Sequence, residues 1–217
     1  MKNPILEAKS ISKSFGNIKA LDNVDFFLQK GQIHGLLGEN GAGTSSLMNI
    51  LSGIYLPEKG TVTIDGKLIK RLNPDLASSL GIGMVHQEFR LIDSFSIKDN
   101  LTLSKSNIYK NDFNKAFSKY SDIFSLNLNF MTPISKLSVG EKQKVEIMKL
   151  IFNNSSIMLL DEPTAVLTPQ DTAQLKVSLE TLAQEDEKTI VLITHKLKEI
   201  KEINEKIYVK KKDKMNI

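Results

Sequence analysis

Gly38-Glu39-Asn40-Gly41-Ala42-Gly43-Thr44-Ser45-Ser46 is a glycine-rich turn that matches the phosphate-binding pattern G-x-x-x-x-G-K-[ST] at every fixed position but one. Thr44 stands where the pattern has lysine. In such a loop the glycines let successive backbone N–H groups turn inward around phosphate oxygens, and the helix that follows adds the positive end of its dipole. That part survives here, as does Ser45, whose hydroxyl suits Mg²⁺. What is lost is an ammonium able to reach the terminal phosphates, a charge-assisted contact worth about 1.5–3 kcal/mol that a short hydroxyl does not replace.

Working outward, Ile33 to Leu37 reads as a buried strand feeding the loop, and Ser45 to Leu51 as a helix leaving it. Upstream, the alternation in Ile5-Leu6-Glu7-Ala8 and from Leu21 to Leu28 predicts short strands. Downstream, Gly60 to Gly66 predicts a strand ending in an Asp-Gly turn. From about Glu88 to Phe130 the chain turns polar and helical, with Phe113, Phe117, Tyr120 and Phe124 spaced to share one helix face, which reads as packing. Ile157-Met158-Leu159-Leu160 and Ile190-Val191-Leu192-Ile193 then read as buried strands. Between them lies a helix opened by Thr168 and Pro169, with Leu175, Leu179 and Leu182 inward. Strands alternating with helices predict an α/β fold with a mainly parallel sheet, an N-terminal antiparallel β part and a helical subdomain at about 88–145. The 217 residues suit one unit, 1–217.

The bulk composition narrows the classes. There is no cysteine, which excludes a disulfide framework and fits a reducing compartment, and no apolar run long enough to span a bilayer. The net charge is +4, carried almost wholly by lysine, and the arginine expected of a nucleic-acid reader is scarce. The run Lys210-Lys211-Lys212 reads as a solvated, partly frayed tail.

Three further constellations carry chemistry. Asp161-Glu162 ends a core strand at the carboxyl edge of the sheet, where α/β proteins bind ligands. Asp161 suits Mg²⁺ through water, and Glu162 suits orienting or polarising an attacking water; a polar turn leaving the core is the plainer alternative. His195 follows the strand Ile190 to Ile193 at the same edge and is placed to face a terminal phosphate. Leu137-Ser138-Val139-Gly140-Glu141 precedes a helix with Val145, Met148 and Phe152 on one side and lysines on the other. Its N-terminus is an anion-binding end, and Ser138 with Glu141 also forms a capping box.

Together these segments resemble the nucleotide-binding subunit of an ATP-binding cassette (ABC) transporter, over nearly the whole chain. By that resemblance GENGAGTSS is the Walker A loop, LSVGE the signature and IMLLDE the Walker B strand. Gln87 in MVHQEF is the Q-loop glutamine, a ligand for metal and a sensor of the γ-phosphate. Phe15 in KSFG stacks on adenine, Pro163 to Pro169 is the D-loop region and His195 the switch histidine. The implied ligands are ATP and Mg²⁺. Catalysis falls to Glu162, His195 and Gln87; nucleotide binding to Phe15, the loop Gly38 to Ser46, and Ser138 with Gly140 acting on a partner; metal binding to Ser45, Gln87 and Asp161.

MVHQEFRLIDSFSIKDNL and LDEPTAVLTPQ are most similar to ATPases of nucleoside and simple-sugar importers. In those, two cassettes usually share one chain of about twice this length, and this sequence resembles the first. The implied partners are a second cassette, a membrane permease and, indirectly, a solute-binding protein, with no nucleic acid. The implied location is the cytoplasmic face of the membrane. Besides Thr44, the sequence departs from the family pattern at Val139, where the signature usually has glycine, and at Asp213. Two alternatives follow from the same residues: a non-hydrolysing regulatory or remnant cassette, and a soluble ABC-type factor.

Overall fold

A computed structural model describes residues 3–38, 43–103, 112–196, 207–211 and 214–216. The N-terminal part is a four-stranded antiparallel sheet of order β2-β1-β4-β5, built from β1 (Leu6–Phe15), β2 (Ile18–Leu28), β4 (Lys59–Ile64) and β5 (Lys67–Ile69). The short strands expected before residue 35 are instead two strands of 10 and 11 residues joined at Gly16-Asn17. Register shifts interrupt their ladder, and Ser10 and Asn23 there take positive φ. An irregular ladder lets a long ribbon bend while still pairing, which is why alternation breaks in the sequence and the strands do not. Asp65 and Gly66, both at positive φ, close the β4–β5 hairpin as the Asp-Gly signal requires.

The second sheet has the order β10-β9-β3-β8-β7-β6. It comprises β3 (Ile33–Gly38), β6 (Ile82–Val85), β7 (Ile157–Asp161), β8 (Thr189–Thr194), β9 (Ile207–Lys211) and β10 (Lys214–Asn216). Every pairing is parallel except that of β10 with β9. Lys210 pairs with Gly38 along β9, so the lysine run read as a frayed tail contributes Lys210 and Lys211 to a strand; Lys212 and Asp213 lie outside the described residues. The apolar runs of β7 and β8 are continuous because both faces are covered. Ile157, Leu159, Val191 and Ile193 face a core shared with the antiparallel sheet and α1 (Thr44–Leu51). Met158, Leu160, Ile190 and Leu192 face a second core formed with α3 (Ile97–Thr102), α4 (Phe113–Ile123), α5 (Val139–Phe152) and α6 (Pro169–Glu185). The short α2 (Pro74–Ser79) precedes β6.

The aromatic stripe lies where its spacing puts it. Phe113, Phe117, Tyr120 and Phe124 are all buried, and Phe113 meets Phe152 of α5 with ring centroids 5.4 Å apart. Helix α5 differs from its reading as half apolar, half lysine. Val145, Met148 and Phe152 are fully buried as expected, but Lys144 and Glu146 are buried as well.

Candidate functional site

The carboxyl ends of β3, β8, β7 and β6 open into one cavity of about 310 Å³, a volume at the lower end of the range for ligand sites. Its lining includes Gly38, Gly43, Thr44, Ser45, Ser46, Gln87, Asp161 and Glu162, so residues far apart in sequence converge there. Convergence follows from topology: four neighbouring parallel strands end at one edge, and each hands its next residues to the same crevice. Glu39, Asn40, Gly41 and Ala42 lie outside the described residues.

Gly43 takes φ of 83° and serves as the N-cap of α1, a backbone conformation that glycine adopts without steric cost. Thr44 is only 8% exposed. Its methyl closes on the backbone of Gly38, where any Cβ would collide with it. The side chain that replaces lysine is therefore packed inside the loop. Among the described residues lining the cavity there is no lysine or arginine, while Asp161 and Glu162 bring two carboxylates.

The polar groups at this edge hold one another. Ser45 hydrogen-bonds the Asp161 carboxylate, which is otherwise pushed above the ordinary carboxylate range by burial and by the neighbouring charge of Glu162. His195 Nδ1 and Glu162 Oε1 lie 2.8 Å apart. Glu162 itself adopts φ of 48°, in the left-handed region that costs a non-glycine residue energy, and its N–H donates to Ile193 O at 3.0 Å. That backbone bond ties the ends of β7 and β8, and the contact with His195 holds the carboxylate. Asp161, Glu162 and His195 thus sit together as their positions after two adjacent strands imply.

The donor set also bears on a metal. Among the described residues no group of three His, Cys, Asp or Glu side chains is arranged to hold a metal ion between them. A hydroxyl, an amide and one carboxylate, from Ser45, Gln87 and Asp161, do line the same cavity. Such a sparse oxygen set fits Mg²⁺, a cation that keeps much of its water and shares phosphate oxygens, and does not fit a fully protein-held transition metal.

Phe15 lies at the end of β1, 42% exposed, with its ring edge-on to Tyr55 at 5.2 Å and Lys13 Nζ 5.6 Å from its centroid. The following strand contributes Ile18 and Ala20 to the cavity lining. Neither was singled out in the sequence, although both follow Phe15 around the hairpin and alternate toward one face. Thr194 lines the cavity too and was not singled out in the sequence either.

Ser138 and Gly140 are not part of this cavity. Ser138 caps α5: Glu141 N donates to Ser138 Oγ at 3.3 Å, and Ser138 N donates to Glu141 Oε2 at 2.7 Å. The capping box is therefore present. Gly140 is in a helix, where glycine costs about 0.5–1 kcal/mol relative to alanine. A Cβ there would meet nothing nearer than 3.5 Å, so the fold of this chain does not demand the glycine.

Comparison with known proteins agrees with this geometry. The family model described as ABC transporter matches residues 21–165. The chain is 41% identical over 97% of its length to the nucleoside import ATP-binding protein NupA of Lactococcus lactis subsp. cremoris, covering 42% of that protein. It is likewise 41% identical over 92% of its length to the ribose import ATP-binding protein RbsA of Caldanaerobacter subterraneus, covering 41% of it. The guanosine import ATP-binding protein NupO of Bacillus subtilis is 41% identical over 86% of the chain, which covers 38% of that protein. The chain thus spans about two fifths of the length of these curated relatives. Among solved structures, a dimeric bacterial ABC transporter cassette superposes with a TM-score of 0.84 at 27% identity, covering 98% of this chain and 97% of that one. A nucleotide-free ATP-binding cassette superposes with a TM-score of 0.87 at 23% identity, which bears on the fold. Its strand order, the residues gathered at the strand ends and the matched span make this chain a member of the ABC transporter family, as an ATP-binding cassette with a P-loop NTPase fold.

Proposed function

We propose that this chain is the ATP-binding, energy-coupling cassette of an importer for nucleosides or simple sugars, working at the cytoplasmic face of a membrane with a second cassette and a permease. The observation that carries the reading is the meeting of Gly43–Ser46, Gln87, Asp161 and Glu162 at one strand edge, with His195 on Glu162. The names of the relatives supply the substrate class. An extracytoplasmic solute-binding protein would act on the permease and not on this chain.

In this reading the loop amides and the start of α1 cradle the phosphates, and Phe15 with Ile18 and Ala20 meets the base. Ser45, Gln87 and Asp161 hold Mg²⁺, which when bound balances phosphate charge. Glu162 accepts a proton from, and orients, the attacking water. His195 holds the Glu162 carboxylate in place and meets the γ-phosphate. Ser138 and Gly140 offer a helix N-terminus to nucleotide on the partner, which explains a glycine that this chain's own packing does not require.

Thr44 modifies the scheme. With no fixed cation among the described lining residues, the nucleotide's charge is balanced chiefly by the metal, so the chain's own site binds weakly and turns over slowly. This favours an asymmetric role in which the chain's larger contribution is its donated signature end. Calorimetry tests it: Thr44→Lys is expected to tighten Mg·ATP binding by about tenfold to a hundredfold, from the contact energy of a charge-assisted bond. Removing Mg²⁺ with chelator is expected to weaken the wild type more than the lysine variant. An unchanged affinity in Thr44→Lys would overturn the assigned role of position 44.

A further inference from the structure

The two branches of the Thr44 side chain meet different surroundings. The residue is buried and lines the strand-edge cavity, with its methyl packed onto Gly38. Among the described residues its hydroxyl makes no hydrogen bond, and it is not one of the polar atoms sealed inside the protein. A side chain more than nine-tenths buried thus keeps its polar atom for the cavity. The groups beside it are already engaged: Ser45 on the Asp161 carboxylate, and Glu162 with His195. An unpaired hydroxyl in so enclosed a place costs free energy that a ligand oxygen or cation would recover.

Charge decides which of these the hydroxyl receives. Asp161 and Glu162 line the cavity, and no lysine or arginine does so among the described residues. The N-terminus of α1 contributes only about half a positive charge. A nucleotide bound with Mg²⁺ still carries net negative charge, so a further cation is favoured beside its phosphates. Lysine would deliver one on a four-carbon stem, whereas threonine ends at its Cβ substituents. An ion seated on Thr44 Oγ1 spans that difference, with the hydroxyl on one side and phosphate oxygens on the other. A second Mg²⁺ suits the place poorly, because it sheds water reluctantly and demands octahedral geometry. A neutral hydroxyl suits a larger, weakly hydrated ion, as neutral carbonyl oxygens do where they replace the hydration shell of K⁺.

We propose that this cassette binds a monovalent cation of the size of K⁺ together with Mg·ATP, held between Thr44 Oγ1 and the phosphates. The ion does the work of the ammonium that the phosphate-binding pattern otherwise supplies at position 44. This inference rests on the proposed function, which puts the nucleotide in this cavity. It makes occupancy of the site conditional: the charge that the chain does not carry is drawn from the surrounding salt, and nucleotide affinity follows the K⁺ concentration.

Calorimetry of the full chain with Mg·ATP tests this, in acetate salts of potassium, sodium or tetramethylammonium at one ionic strength, which separates a bound ion from general screening. Potassium is expected to tighten binding about tenfold over tetramethylammonium, as one charge-assisted contact does, and about threefold or more over sodium. Thr44→Val keeps the methyl on Gly38 and removes the hydroxyl. It is expected to bind in potassium only as weakly as the wild type does in tetramethylammonium. Thr44→Lys carries its own cation and is expected to bind equally in all the salts, so its advantage over the wild type is largest in tetramethylammonium. Thallium(I), a stand-in for K⁺, reads the ion directly: its NMR line is expected to broaden when Mg·ATP is added to the wild type. Denaturant melts certify that Thr44→Val is folded; if it is not, the thallium line and Thr44→Lys decide. Equal wild-type affinity in potassium and tetramethylammonium, sodium acting as well as potassium, or a full potassium response in Thr44→Lys or a folded Thr44→Val overturns the ion site. Nucleotide binding that ignores potassium leaves the proposed function standing, whereas a wild type that binds no Mg·ATP in any salt overturns that function, and the ion site with it.

Discussion

Under the proposed function the crevice at Thr44 and the helix tip at Ser138 both meet phosphate, and they are built differently. In the crevice the functional groups are spent on one another: Ser45 on Asp161, His195 on Glu162, the Thr44 methyl on Gly38. A ligand entering there must replace those contacts. At the tip the polar side chains are satisfied by the helix itself, through Ser138 and Glu141, and the space beside Gly140 stays open. Under the proposed function, threonine at position 44 in place of lysine weakens one end of the molecule and spares the other, whose chemistry is backbone and helix dipole.

The sharpest way to break that contrast is in the proposed assembly with a second cassette and a permease. Ser138→Arg puts a long cation where a partner's phosphates would sit, and is expected to lower ATPase activity by about a hundredfold or more, as removal of preorganised charge stabilisation does elsewhere. Its cost to the fold should be only about 1 kcal/mol, the worth of an exposed cap. Glu162→Gln in this chain is expected to change the same activity by less than about threefold, since it acts on a site already short of charge stabilisation. Equal losses from the two would erase the distinction. An effect well below that of Ser138→Arg is expected for Phe15→Ala, about fivefold in nucleotide affinity with catalysis at saturation unchanged, from the worth of one aromatic contact; titration with a fluorescent nucleotide measures it.

The smallest effect sharpens the comparison from the side of stability. Asp161 has its folded-state pKa raised, by burial first and Glu162 second, so its ionised form is penalised in the folded protein. Asp161→Asn should therefore stabilise the ligand-free chain at neutral pH. The gain is full above the raised pKa and disappears as pH falls to the ordinary carboxylate range near about 4, where folded and unfolded wild type are both protonated. Denaturant melts at pH 7.5 and pH 4 measure the difference, and a stabilisation that is the same at both pH values would overturn the charge argument.

Much of this was legible in the sequence because the site is organised by strand ends. Leu37, Leu160 and Ile193 each end an apolar run, and the chemistry begins within two residues of each, so reading where the runs stop finds Asp161, Glu162 and His195. The strands β6 and β9 were not read, since four or five residues with little alternation are as compatible with a turn as with a parallel strand, and only their neighbours settle the matter. The side-chain contacts that hold Arg90 and Ile92 were invisible for a related reason. Glu146, Lys149 and Asn100 are charged or polar residues on helices, and such residues ordinarily face water; nothing local marks them as partners of a loop more than fifty residues away in the case of Glu146.

Glu162 leaves a mark on any future alteration of this molecule. Its left-handed backbone suits glycine, or asparagine, better than glutamate. Selection for thermal tolerance alone would thus drift at this position toward residues without the carboxylate, and a hardened variant that emerged from such a screen would have discarded the group to which the proposed function gives the attacking water.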